Sequence, residues 1–188
     1  PGDAALLASD ASESFVARLG VGALSGDDAL KVAVRIRSGD FLDPMLGAIA
    51  AHLYEAIGDR AGIRRLASLF ARSGEPIPFD IALLADLRGR REGGRLRAVV
   101  PAVERREPET VEEDHHPELF GAAPQIADAP VAGGFPWLRQ GWALLDTVRL
   151  PVHPTVVELA GSLLPLPFTT LKPEAGRVLA DLIRRGKV

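Results

Sequence analysis

Hydrophobic residues recur at helical spacing most clearly between Asp43 and Leu87 of this 188-residue chain. Met45, Leu46, Ile49, Leu53 and Ile57 fall at the three- and four-residue steps of one helix face. Asp43-Pro44 ahead of them is a start signal. The carboxylate accepts amide protons that the first turn leaves unpaired, and proline at the first position gives up no donor the helix would use. Gly58 supplies the stop. Asp59 then opens a second helix with Ile63, Leu66, Ala67 and Phe70 on its inner side, ending at Gly74. So short a break predicts an antiparallel helix hairpin. Pro76 and Pro78 force an extended entry, and Asp80 reads as the start of a short apolar helix through Leu87.

Either side of that unit the pattern is less regular. Residues 1–26 are rich in Ala, Ser and Gly, and Phe15, Val16, Leu19 and Val21 suit a short helix or a docking strand. Asp27 or Asp28 caps a helix to about Arg37, with Ala29, Leu30, Val32, Ala33 and Ile36 inward. Towards the C-terminus, Pro136 opens a helix carrying Trp137, Leu138, Trp142, Leu145 and Val148. Pro154 opens one with Val156, Val157, Leu159, Leu163 and Leu164, and Pro173 opens the last, with Val178, Leu179, Leu182 and Ile183 inside. Between these groups, charge takes over. Arg88, Arg90, Arg91, Arg95 and Arg97 are followed by Glu104, Glu107, Glu109, Glu112, Glu113, Asp114 and Glu118. The patch Ala98–Val103, broken by Pro101, suits an edge strand or an extended arm. The rest, through Pro124, Pro130 and Gly133-Gly134, reads as loop.

The predicted architecture is therefore mainly α: an antiparallel helical bundle or short helical-hairpin array forming one domain over 1–188. Its helical core lies at 27–87. A charged, loop-rich excursion with room for one short β arm covers 88–134, and C-terminal helices at 135–188 pack back on the core.

Composition narrows the function classes. A hydrophobic fraction of 47% and a charged fraction of 25% argue against wholesale disorder. A net charge of −3 gives no global pull towards nucleic acid or an anionic membrane. No apolar run reaches the roughly 20 residues of a membrane span. The chain has no cysteine, which excludes disulfides, thiolate zinc sites and cysteine catalysis within these residues. It begins Pro1-Gly2, as expected of a fragment or processed piece of a larger protein.

Chemistry-bearing groups are sparse. His115-His116 beside Glu112, Glu113 and Asp114 is the one local cluster with metal-ligand chemistry, but adjacent histidines do not share a helix face and no HExxH pattern is present. The cluster reads as a solvated acidic loop, so neither a metal nor a cofactor is expected. His52 lies among apolar neighbours and His153 sits in a Val-His-Pro turn, neither with a partner in view. There is no GxSxG elbow, and Gly93-Gly94 and Gly133-Gly134 lack the Lys-Ser/Thr of a phosphate loop. No catalytic residue is assigned. Arg88 to Arg97 could meet phosphate, but the cluster has no aromatic residue for base stacking. Phe135, Trp137 and Trp142, with Arg139 among them, are anchors of a helix on a core in the ordinary case. The sharper alternative is a partner-binding surface, because Trp and Arg dominate interface energetics.

Two resemblances bear on this. Ala50-Ala51, Tyr54, Gly58-Asp59 and the helix that follows resemble one tetratricopeptide unit, although Phe70 is preceded at the family's alanine position by Leu66 and no second copy follows. The blocks DPMLGAIAAHLY (43–54), PIPFDIALLADL (76–87) and FPWLRQGWALLD (135–146), in that order, are similar to a helical accessory region in the C-terminal part of large bacterial caspase-like and related effector peptidases. That resemblance implies that the peptidase His and Cys lie upstream of this piece, and it carries over no catalytic residue. The expected function is a non-catalytic interaction or regulatory module of a larger, soluble, cytoplasmic bacterial protein, accessory to a peptidase domain. It would contact a protein partner or a neighbouring domain of the same chain, not nucleic acid. The alternative is a small soluble hydrolase whose site assembles from distant carboxylates and His52, His115 or His153.

Overall fold

The structure is a computed structural model that describes residues 30–34 and 43–188. Residues 30–34 are helical, as the pattern around Leu30 and Val32 predicts. The expectations for 1–26, and for both ends of the helix predicted to reach Arg37, lie outside the described residues.

The helix hairpin forms where its caps predict. Helix α1 spans Pro44–Ala56, and Asp43 Oδ1 accepts from the amides of Met45 (2.8 Å) and Leu46 (3.2 Å). Gly58, at φ +76°, turns the chain, and Asp59 then caps α2, Arg60–Arg72, by accepting from the Gly62 amide at 2.8 Å. A Cβ at position 47 would lie 2.7 Å from the Phe70 ring, so Gly47 is what lets that ring close onto α1. Ile49, Leu53, Ile63 and Phe70 are all fully buried. Each such side chain contributes about 1.5–3 kcal/mol relative to exposure.

The mainly α expectation is wrong, because a four-stranded mixed sheet is present. Its strands are β1, Ile77–Pro78; β2, Arg88–Glu92; β3, Arg95–Val100; and β4, Ile126–Ala132. The order is β1-β4-β3-β2, with β1 parallel to β4 and the other pairs antiparallel. The physical reason is an alternation of period two in residues 95–100. Leu96, Ala98 and Val100 are buried, while Arg95, Arg97 and Val99 between them are not. Gly93 and Gly94, at φ +56° and +79°, are the two-residue turn between β2 and β3, a conformation that twisted hairpins favour and that glycine adopts freely. The strand expected at an edge, β3, is instead interior. Pro130 argued against a strand at β4. It is tolerated because β1 meets β4 only at Val131 and Ala132, which leaves Pro130 without a neighbour on that side.

Residues 88–132 are thus no loop excursion; they supply three of the four strands. Beyond Pro101 the chain continues as an arm in which Val103 and Ala123 exchange amide bonds of 2.9 and 2.8 Å and the Arg106 amide donates to Phe120 O at 2.9 Å. Its tip carries the short helix α4, Val111–Asp114, capped by Thr110, and a 3-10 turn at Pro117–Phe120.

The short helix α3, Phe79–Leu84, follows β1 directly, but Asp80 does not cap it. Pro136 does not open an α-helix either; a 3-10 segment at Arg139–Leu144 stands there. Helix α5 runs from Pro154 to Leu159, where a 3-10 turn takes over, and α6 spans Pro173–Arg184. Among the described residues no helix is long and apolar enough to cross a membrane.

Candidate functional site

Asp80 is the buried polar centre of the structure, with no exposed surface. It points away from the start of its own helix and into the segment after β4. Its Oδ2 accepts from the Trp137 amide at 2.7 Å, and its Oδ1 accepts from the Leu138 amide at 3.2 Å. His52 Nε2, on α1, lies 3.1 Å from Oδ1. Since Oδ1 is already an acceptor, the arrangement has the imidazole N–H donating to it. Three donors converge on one carboxylate, as a buried polar group requires. The side chains of His52 and Asp80 are 4% and 0% exposed, so the pair is closed to substrate. Its role is to hold residues 135–142 against α1 and α3.

Those residues include all four predicted contact positions. Trp142 is buried at 3% exposure, and its indole N–H bonds Thr169 Oγ1 (2.7 Å) and Pro136 O (3.2 Å). The half-buried Phe135 packs against it, ring centroids 6.2 Å apart. Trp137 is half-buried and Arg139 exposed. The backbone beneath them is pinned from the other side as well: Thr169 N donates to Trp137 O at 2.7 Å, and Arg139 N donates to Pro167 O at 2.9 Å. A rigid strip thus divides its side chains, with Trp142 inside and Trp137 and Arg139 at the surface. The sequence signal for Asp80 is an isolated carboxylate between Phe79 and Ile81, which suits a helix start, but the structure spends it on the segment after β4.

The other sequence candidates are not brought together. His153 accepts from the Thr155 amide and caps α5. His115 is exposed at the end of α4. No hydrogen bond joins His52, His115 or His153 to one another, and no group of three His, Asp or Glu among the described residues is placed to hold a metal ion. Arg90 and Arg97 face each other across β2 and β3, and Asp128 Oδ1 bridges them at 3.0 and 2.7 Å. Two arginines of the cluster, Arg90 and Arg97, therefore find their counter-charge on β4.

An open cleft of about 370 Å³ lies between the α1–α2 turn and the tip of the arm, and sequence reasoning missed it. Leu30, Tyr54, Ile57, Asp59, Arg106, Glu109, Thr110, Glu113 and Phe120 line it. The Arg106 guanidinium lies 4.4 Å over the Phe120 ring and pairs with Glu113 (2.8 and 3.1 Å) and Glu109 (3.0 Å). Arg106, together with the backbone amides of Glu109 and Thr110, holds the Glu113 carboxyl below its ordinary range. Burial and then the Asp59 charge push the Tyr54 phenol far above its own, which keeps it a neutral donor. These groups come from positions 30 to 120, with no local spacing to betray them.

Comparison of the chain with protein-family models, with curated proteins and with solved structures finds no match.

Proposed function

We propose that the chain is a non-catalytic interaction or regulatory module of a larger cytoplasmic bacterial protein, accessory to a peptidase domain. It presents Trp137 and Arg139 to a protein partner or to a neighbouring domain. The observation that carries this reading is the use made of Asp80. A fully buried carboxylate is committed to fixing the backbone under Trp137 and Leu138, two residues from an exposed arginine. Fixing that backbone before binding lowers the ordering cost of contact, which runs at about 0.5–1.5 kcal/mol per immobilised side chain. Trp and Arg are the residue types that most often dominate such contacts. The peptidase association rests on the resemblance of the three sequence blocks.

The test is quantitative capture from a bacterial lysate with the natural chain, Trp137→Ala and Arg139→Glu, each checked for folding by circular dichroism. We expect a set of proteins, a peptidase among them, that both substitutions deplete. Identical capture by all three folded proteins would refute the reading.

A further inference from the structure

We propose that the face of the sheet turned away from the core binds an extended acidic segment of another protein, with two carboxylates four residues apart meeting Arg88 and Arg95. This face shares no residue with the Trp137–Arg139 surface, and either reading can fail without the other.

The face is the other side of the alternation that buries Leu96, Ala98 and Val100. Strand β2 gives it Arg88, Arg90 and Glu92, β3 gives it Arg95, Arg97 and Val99, and β4 gives it Asp128 and Pro130. It is open: the side chains of Arg90, Glu92 and Asp128 are 55%, 65% and 44% exposed. Four arginines thus stand against two carboxylates, on a chain whose net charge is −3. A positive field gathered on one face of an acidic chain draws anionic partners to that face.

The pairing of these charges is the second argument, independent of their number. Arg90 and Arg97 lie directly opposite each other, an arrangement of like charges that weakens a strand pair. Asp128 offsets it, since its Oδ1 accepts from both and its backbone oxygen accepts from Arg97 Nη2 at 2.8 Å. Glu92 pairs with Arg90 at 3.3 Å and not with Arg95, its neighbour across the strands. Both carboxylates therefore serve the middle of the face. The guanidinium groups of Arg88 and Arg95, exposed at its two ends, make no ion pair or hydrogen bond with any described residue.

Those two ends lie about 13 Å apart along the strands, four residues at about 3.3 Å each. An extended peptide turns every second side chain to the same side, so carboxylates at positions i and i+4 span the same distance. Asp128 shows that a carboxylate is the counter-ion these guanidinium groups accept, and arginine suits it through paired N–H donors. Val99 and Pro130, both half-buried between the charges, offer an apolar floor to the residues between. Nucleic acid fits less well. The face has no aromatic side chain on which a base could stack, and Glu92 and Asp128 would meet its phosphates.

The experiment follows backbone amide resonances of the full chain while acetyl-Glu-Val-Thr-Val-Glu amide is added. The controls are acetyl-Glu-Glu-Val-Thr-Val amide, acetyl-Lys-Val-Thr-Val-Lys amide and a short DNA duplex. We expect saturable shifts at Arg88, Arg95 and Val99 with the first peptide, weakening as salt rises. Arg88→Glu and Arg95→Glu alter exposed side chains, so both folds should be intact by circular dichroism. Each should weaken binding by about fivefold, the scale of reversing one exposed charge. Arg72→Glu, the same change at an exposed position on α2, should leave it unaltered. The proposal is overturned if the first peptide shifts none of these amides, if any control binds as tightly, or if Arg72→Glu weakens binding as much as the other two. It is equally overturned if sedimentation shows a dimer of the natural chain that Arg95→Glu disperses, since the occupant would then be a second copy.

Discussion

Replacing Asp80 tests whether one buried carboxylate holds residues 135–142 in place. In Asp80→Ala the amides of Trp137 and Leu138 and the His52 N–H all lose their acceptor inside a fully buried site. A buried donor left unpaired costs about 1–3 kcal/mol, so three would cost about 3–9 kcal/mol. Entry of water into the vacated space offsets part of that. We therefore expect a loss in the lower part of that range, about 3–5 kcal/mol, a large share of the roughly 5–15 kcal/mol that domains possess. Asp80→Asn keeps the shape and one acceptor. Whichever way its amide turns, its NH₂ faces a backbone N–H, at Trp137 or at Leu138, so we expect about 1–3 kcal/mol. His52→Phe leaves both amides bonded and should cost least. Urea denaturation, with free energies extrapolated to water, measures all three. Hydrogen exchange locates the effect, since the Trp137 and Leu138 amides should lose protection first. Losses under about 1 kcal/mol in both Asp80 variants would refute the argument, because that is no more than an ordinary surface change.

Other substitutions probe other parts. Trp142→Ala removes a buried ring with two indole hydrogen bonds and should cost about 3–5 kcal/mol, while Trp137→Ala, at a half-buried position, should cost under about 2 kcal/mol; thermal melts that reverse this ranking would place the wrong tryptophan in the core. Gly93→Asn suits the β2–β3 turn and should be nearly neutral, whereas Gly93→Val at φ +56° should cost about 1–2 kcal/mol in urea midpoints. The pH dependence of Glu113→Gln follows from the lowered carboxyl. Because Arg106 holds the folded-state value below the ordinary one, the ion pair stabilises fully above the ordinary carboxylate range and loses that contribution as pH falls through the lowered value. The stability gap between the natural chain and Glu113→Gln should therefore be present at neutral pH and close on acidification; a gap that widens in acid would contradict the assignment.

What could be read in the chain beforehand was whatever depends on neighbours in sequence. Asp43-Pro44, Gly58, Asp59 and Gly74 act within one turn of where they stand, so α1 and α2 were legible almost to the residue. The sheet was not, because its information lies in pairing. Strand β1 has two residues, β4 carries Asp128 and Pro130, and neither resembles a strand until placed beside the other. Only β3 carried its own alternation, and the arginines in it drew attention to charge instead. At the contact surface, Phe135, Trp137, Arg139 and Trp142 stood out by residue type. Nothing local distinguished Trp142, which goes inward, from Trp137, which does not, because the partner that decides it is Thr169. Asp80 is hidden for the same reason. A carboxylate two residues after a proline looks like a cap, and its donors lie 28 residues back and 57 and 58 residues further on.

The parallel pairing of β1 with β4 has a consequence for how the protein is made. Ile77 leaves the ribosome long before Val131, its partner in the sheet. At about 5–20 residues per second, that interval is roughly 3–10 s. For that time Ile77 and Phe79, both fully buried at the end, lack the strand that covers them, although the α1–α2 hairpin is already complete in sequence. We expect nascent chains arrested before Val131 to be held by chaperones and cleaved readily near Ile77. Chains arrested far enough beyond Leu138 to free the Asp80 bonds from the exit tunnel should resist both.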